Sequence, residues 1–340
     1  MREDDESRII ERIRRISGSL AGSAPVSVER MTGGASSLTY SARMSCPSGA
    51  SRSQQAKLVV KVAPPGLPPT LNRDVLRQAR VMRALAPSGV PVPVVLHEDP
   101  GHPPGEPPLV VMTFVPGECL EPLTHPNGAD VPAPDVVRSR ALHAARIMAS
   151  LHGFPWEWAR LGPEPAMSLR QEVERWVRAF STVPADLAAG ASEAGKRLLE
   201  SVPAPLSPVL VHGDFRLGNM LCEAGEVCAV VDWETWGIGD PRIDVGWLLM
   251  SCDGPSQPHA ARSDAGMPSR DDLLSAYTAD GGSMPARIDW FIALSQFRAG
   301  AMTALILKHD RRRAARDTFV SWWDPEIPQR FIAMARDGVS

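Results

Sequence analysis

The residues best suited to chemistry lie in "LVHGDFRLGNML", residues 210–221, and in "VCAVVDWE", residues 227–234. In the first stretch Asp214 and Asn219 stand five positions apart in a short polar segment between apolar flanks, which would fix a loop's ends and leave its side chains to project. In the second, an apolar run ends on Asp232, in an aromatic setting where an unpaired charge would be costly. A divalent cation shared with phosphates would supply its partner. Two metal-facing oxygens, from Asn219 and Asp232, and a separate carboxylate on Asp214 suit phosphoryl transfer. There the protein positions phosphates and metal, and one carboxylate accepts or orients the acceptor's hydroxyl proton. Taken without Asp232, the Asp214–Asn219 spacing fits better a turn in which both side chains satisfy backbone amides.

The elements that would position these residues fall into two groups. "ESRIIERIRRIS" (5–16) places Ile9, Ile10, Ile13 and Ile16 on one face and predicts an amphipathic helix. Strands are expected at "VSVERM", "SLTYSARM" and "KLVVKVA", joined by "TGGASS" and the polar run "SCPSGASRSQQ". "LNRDVLRQARVMRALA" (71–86) carries Val75, Ala79, Met82 and Leu85 on a stripe, and "PSGVPVP" stops it. Two more strands, near 92–97 and 109–115, complete a first lobe of about five strands and one main helix that ends near "VPGE". From 135 the pattern is helical, over 135–152, 168–180, 191–201 and long stretches past 241. A strand pair at 209–211 and 220–231 interrupts it and is expected to hold the loop of Asp214. A mostly antiparallel sheet lobe followed by a mostly helical lobe is an α+β arrangement, with domains at 1–115 and 116–340.

Bulk properties narrow the classes. The 340 residues suffice for two lobes, and a formal charge of −3 with no long run of one sign recommends neither a nucleic-acid nor a membrane-surface partner. Lysine is confined to Lys57, Lys61, Lys196 and Lys308. "IDWFIALSQFRAGAMTALIL", from 288, contains Asp289, Gln296 and Arg298 and reads as a buried helix. The start "MREDDESR" is charged, unlike a signal peptide, and the 5 cysteines show no C-x-x-C spacing, so reduced thiols in a cytoplasmic protein are expected.

"VHGDFRLGNML…VVDWETWGIGDPRIDVGWLL" resembles the aminoglycoside phosphotransferase family, small-molecule kinases of the protein-kinase-like fold. The likeness runs from "TGGASSLTY" through "VVKVAPP" and "VMTFVPGE" to Leu249. It implies a bilobal fold, ATP or GTP and Mg2+ as cofactors, and a cytoplasmic enzyme. Such an enzyme moves the γ-phosphoryl group to a hydroxyl of an antibiotic-like natural product or metabolite, with antibiotic resistance as one role. Carried over by residue, Asp214 is the catalytic base and Asn219 and Asp232 are magnesium ligands. Lys61 holds the α- and β-phosphates, while Gly33, Gly34, Ser36 and Ser37 close over the phosphates. Met112 and Phe114, in "VMTFVPGE", are further nucleotide-site positions. His212 would brace the loop through backbone hydrogen bonds, and Asp244 would support it or cap the helix that follows.

One position departs from the family pattern. Gln78 in "VLRQARVM" stands where kinase-like folds place a glutamate that pairs with the lysine. Its carbonyl can still accept from Lys61, and Asp74 is an alternative carboxylate one turn earlier. Lys57 is expected to be solvated. Only about a dozen residues separate Asp232 from Asp244, too few for the extended activation segment that receives a polypeptide, so a small-molecule acceptor is expected. Residues 250–290 hold six aspartates against three arginines, a mild bias toward a cationic acceptor that surface solubility explains as well. Tryptophans such as Trp158, Trp176, Trp233, Trp236 and Trp290 fit an apolar or sugar-stacking pocket or plain helix packing. The rival readings are a nucleotide-binding pseudo-enzyme of the same fold and a metal-dependent hydrolase built on His212, Asp214 and Asp232.

Overall fold

The computed structural model describes residues 3–22, 25–31, 37–44, 57–125, 131–262, 265–312 and 324–339. Gly33, Gly34 and Ser36, and the tryptophans at 322 and 323, lie outside the described residues. The chain divides into two compact units, one of Met1–Gly117 with Glu157–Gly162 and Cys228–Thr235, the other of the remaining segments.

The first unit is built on a five-stranded antiparallel sheet of order β1-β2-β3-β5-β4, with β1 Pro25–Arg30, β2 Leu38–Met44, β3 Lys57–Val62, β4 Val95–Asp99 and β5 Leu109–Thr113. Period-two alternation decides what each face carries. Leu58, Val60 and Val62 of β3 join Tyr40, Ala42, Met44, Leu109 and Val111 in a core that also takes Ile9 and Ile13 of α1, Glu3–Ala21. Lys57, Val59 and Lys61 therefore point to the opposite face, as does Met112, which pairs with Val59. A one-residue slip of β3 would exchange the two sets. Arg12 fixes α1 to the far end of the sheet, with Nε donating to Asp99 at 2.9 Å and Nη1 to the carbonyl of Pro107 at 2.6 Å. α2, Val75–Leu85, buries Val75, Ala79, Met82 and Leu85 as its stripe requires. It begins four residues later than the periodicity suggested, because Asp74 caps it by accepting from the Arg77 amide at 3.0 Å.

The second unit is helical: α3 Pro134–His152, α4 Leu169–Phe180, α5 Ala191–Glu200, α6 Arg242–Cys252, α7 Arg270–Ala279, α8 Ile288–Asp310 and α9 Ile327–Asp337. Every residue of α6 is buried. Gly246 lets α6 approach α8 closely, since a Cβ there would stand 2.7 Å from the Phe291 backbone. α8 is long and apolar enough to cross a membrane, yet 78% of that window is buried, as expected of a core helix. Trp176, Trp233, Trp236 and Trp290 are buried, which favours packing over a pocket lining for all four, while Trp158 is 88% exposed.

The expected pairing of 209–211 with 220–231 is corrected. β6 (Val209–Val211) pairs with β9 (Gly237–Gly239), and 220–231 is itself broken into β7 (Met220–Glu223) and β8 (Glu226–Val230). Ala224, with φ of 49°, turns the chain between them. β6 and β9 thus fix both ends of the segment that runs from His212 to Trp236.

Candidate active site

In the first unit, Lys61 donates to Gln78 Oε1 at 3.0 Å and to Asp232 Oδ1 at 2.8 Å. Three predicted site residues are thereby brought together. Asp232 follows β8 in the left-handed region, φ 63°, a conformation that aspartate tolerates better than most side chains. The turn at Trp233–Thr235, anchored by Trp233 Nε1 on the carbonyl of Val230 at 2.9 Å, packs against α2 and holds Asp232 beside the lysine. Gln78 is buried, and its Nε2 donates to the carbonyl of Asn72 at 3.2 Å, which turns Oε1 toward Lys61. Asp74 is not the lysine's alternative partner, because capping α2 already engages it. Lys57 is not simply solvated either: its Nζ lies 3.9 Å from the centroid of the Phe114 ring, a cation–π contact. Met112 and Ser37 are buried.

Gln78→Glu exchanges a hydrogen bond to Asn72 for a full charge beside Lys61. The expected outcome is an active enzyme whose nucleotide affinity is unchanged or modestly raised. A hydrogen bond to a charged group contributes about 1.5–3 kcal/mol, and the lost Asn72 contact offsets part of it. Calorimetric titration of nucleotide checks this; inactivation without unfolding contradicts it.

In the second unit, the loop of His212, Asp214 and Asn219 is held from three sides. Asp244 Oδ2 and Oδ1 accept from the backbone amides of His212 and Gly213 at 2.7 and 2.8 Å, and His212 Nδ1 accepts from the Asp214 amide at 3.1 Å. Asp244 is therefore the support and not the helix cap, a place taken by Pro241. Asp240 pairs with Arg242 at 2.7 Å and fixes the turn into α6. Asn219 Nδ2 donates to Asp214 Oδ2 at 2.7 Å and to the Asp214 carbonyl at 2.9 Å. Both hydrogens of that amide are thus spent, and its oxygen is the atom left to meet a cation. The amide oxygen of Asn219 in this unit and the carboxylate of Asp232 in the first unit are each hard donors of the kind magnesium takes. Among the described residues no group of three His, Cys, Asp or Glu is placed to hold a metal ion, as the hydrolase reading requires.

Two further residues touch this loop. Arg216 Nε donates to Asp214 Oδ1 at 3.2 Å, and its Nη1 to Glu121 Oε1 at 3.0 Å. Glu121 also accepts from the Gly218 amide at 2.6 Å. Burial opposes the Arg216 charge, but Asp214 and Glu121 raise its pKa all the same. A Cβ at Gly218 would lie 2.8 Å from Glu121 Oε1, so this arrangement requires glycine there. Arg216 was in plain view within "HGDFRLGN"; Glu121, in "PGECLEPL", gave no local signal.

Burial pushes the Asp244 carboxyl pKa up, but His152, the charge of His212 and the His212 amide outweigh it and hold the pKa below the ordinary value. A depressed folded pKa contributes stability above the unfolded value, and that contribution is lost as pH falls through the folded one. Asp244→Ala strands two buried amides and is expected to cost about 1–3 kcal/mol for each. Chemical denaturation at neutral pH and at low pH measures it, and the deficit should shrink in acid.

A model of the phosphotransferase enzyme family matches residues 27–291. The mouse protein named acyl-CoA dehydrogenase family member 10 is 26% identical over 275 residues, 74% of this chain. The chain spans only about a quarter (24%) of that relative. Viomycin phosphotransferase of Streptomyces vinaceus is 32% identical over 178 residues, 49% of this chain and 59% of that one. Among solved structures, a thermostable mutant of aminoglycoside phosphotransferase APH(4)-Ia in complex with ADP and hygromycin B has the same fold. Its TM-score is 0.63 at 16% identity, over 96% of this chain and 99% of that one.

Proposed function

This chain belongs to the phosphotransferase enzyme family, and we propose that it transfers the γ-phosphoryl group of ATP or GTP to a hydroxyl of a small molecule. One observation carries the reading: Asp214 is oriented by an asparagine whose own amide oxygen is left for a cation. In this reading Asp214 accepts the acceptor's hydroxyl proton as the new oxygen–phosphorus bond forms and the nucleoside diphosphate departs. Lys61 binds the α- and β-phosphates, with Gln78 orienting its ammonium. Ser37 serves the phosphates, a role the sequence resemblance extends to Gly33, Gly34 and Ser36, and Met112 and Phe114 contribute to the nucleotide site. Asn219 and Asp232 would hold magnesium, which when bound supplies charge neutralisation on the phosphates.

The names of the relatives suggest which acceptors to try. Viomycin and hygromycin B point to hydroxylated antibiotics, and the acyl-CoA dehydrogenase relatives point to hydroxylated acyl thioesters. Nucleoside diphosphate release is to be screened against both groups and against hydroxylated primary metabolites. The expected result is release that depends on one acceptor class. Nucleotide binding without turnover across the whole panel would instead favour the pseudo-enzyme reading, to which Gln78 in place of glutamate lends weight.

A further inference from the structure

The second unit buries a cation that it does not neutralise. Arg140 and Arg242, also buried there, each hold a carboxylate, Glu118 at 2.8 Å and Asp240 at 2.7 Å. Arg298, in the middle of α8, is 4% exposed and, among the described residues, has neither an ion pair nor a hydrogen bond. Its Cζ lies 4.4 Å from the centroid of the Trp247 ring and 5.3 Å from that of Trp176. Stacking on indole faces eases the charge but occupies none of the guanidinium's N–H donors. Nε is sealed from solvent without a partner, and so is Nε1 of the adjacent Trp247. The terminal nitrogens of Arg298, equally unpartnered, are not sealed.

Nearby carboxylates have other engagements. Glu172 accepts from Trp176 Nε1 at 2.7 Å and faces Arg175 at 3.7 Å. Burial lowers the Arg298 pKa, and the charge that most opposes this is that of Asp214, followed by Glu172, with Arg175 adding to the lowering. The guanidinium therefore lies within electrostatic reach of the catalytic-loop carboxylate. A buried charge with unmet donors is retained where a bound group completes it.

We propose that Arg298 and Trp247 form an anion-recognition subsite for the acceptor, which is then a hydroxylated small molecule bearing a carboxylate or a phosphate. This rests on the phosphotransferase reading for the word acceptor and deepens it by naming the class. It also sets the chain apart from a neighbour that binds a polycationic aminoglycoside, and it outweighs the mild acidic bias of residues 250–290.

The test is thermal stability under titration with L-malate and, separately, inorganic phosphate, against sodium chloride at matched ionic strength. Wild type should gain Tm with at least one anion, and which one distinguishes a carboxylate from a phosphate. Arg298→Met should lose that gain, with apparent affinity falling about tenfold or more, as for a lost charge-assisted hydrogen bond. Anion binding elsewhere cancels in the comparison. Without ligand, Arg298→Met should melt no lower than wild type, because it removes an uncompensated buried charge. Should that variant not fold, Trp247→Phe removes the N–H donor together with part of the ring face that stacks on Arg298, and should weaken the response severalfold. Equal responses in wild type and variants, or none in wild type to either anion, overturn the proposal. An Arg298-dependent response in a protein that phosphorylates nothing leaves the subsite standing and the transferase reading fallen. Turnover of a cationic or uncharged acceptor, undiminished in Arg298→Met, does the reverse.

Discussion

Asp214→Asn is expected to lower phosphoryl transfer by about two to four orders of magnitude, the usual cost of removing a positioned proton acceptor. Nucleotide affinity stays near that of wild type, because the change is isosteric and falls on the acceptor's side of the reaction. The hydrogen bonds around Asp214 add a second expectation. Both of its oxygens accept, Oδ2 from Asn219 and Oδ1 from Arg216. An asparagine has to turn its own NH2 toward one of those donors, so the loop should also lose stability, by about 1–3 kcal/mol. Turnover, nucleotide affinity and unfolding midpoint are to be measured on the same preparation. A variant whose turnover stays within about threefold of wild type removes Asp214 from the role of base.

Asp232→Ala should act on binding instead. Outer-shell partners of metal ligands alone are worth about 10–100-fold in metal affinity, so loss of the ligand itself should exceed about 100-fold in magnesium-dependent nucleotide binding. The same change takes from Lys61 its partner at 2.8 Å and leaves it the Gln78 carbonyl. Titration of ATP with and without magnesium separates the two consequences. An affinity that no longer responds to magnesium is the expected result. An undiminished response would make Asp232 a structural partner of Lys61 and nothing more.

The antiparallel sheet and the stripes of α1 and α2 were legible in the sequence because they rest on local periodicity. The pairing of Gln78 with Lys61 came from the family resemblance and not from the spacing, and the structure brings the two to 3.0 Å. What was not legible depends on partners far along the chain. Lys61 reaches Asp232, 171 residues away, and not Asp74, whose carboxylate was already committed to a backbone amide. The strand at 209–211 finds its partner at 237–239, past a hairpin that the apolar run 220–231 concealed. Glu121 and Arg216 meet across 95 positions, and neither residue type signals the other. Arg298 read as one polar residue in an apolar helix; only the packed structure shows that, among the described residues, no ion pair or hydrogen bond engages it.

The central claim is tested most directly by following the label from γ-labelled nucleotide with wild-type protein, magnesium and the acceptor panel, alongside Asp214→Asn. The account predicts label on a hydroxyl of an acceptor with wild type, and its near absence with Asp214→Asn at equal nucleotide occupancy. Label found only in inorganic phosphate, or equal transfer by both proteins, would contradict it.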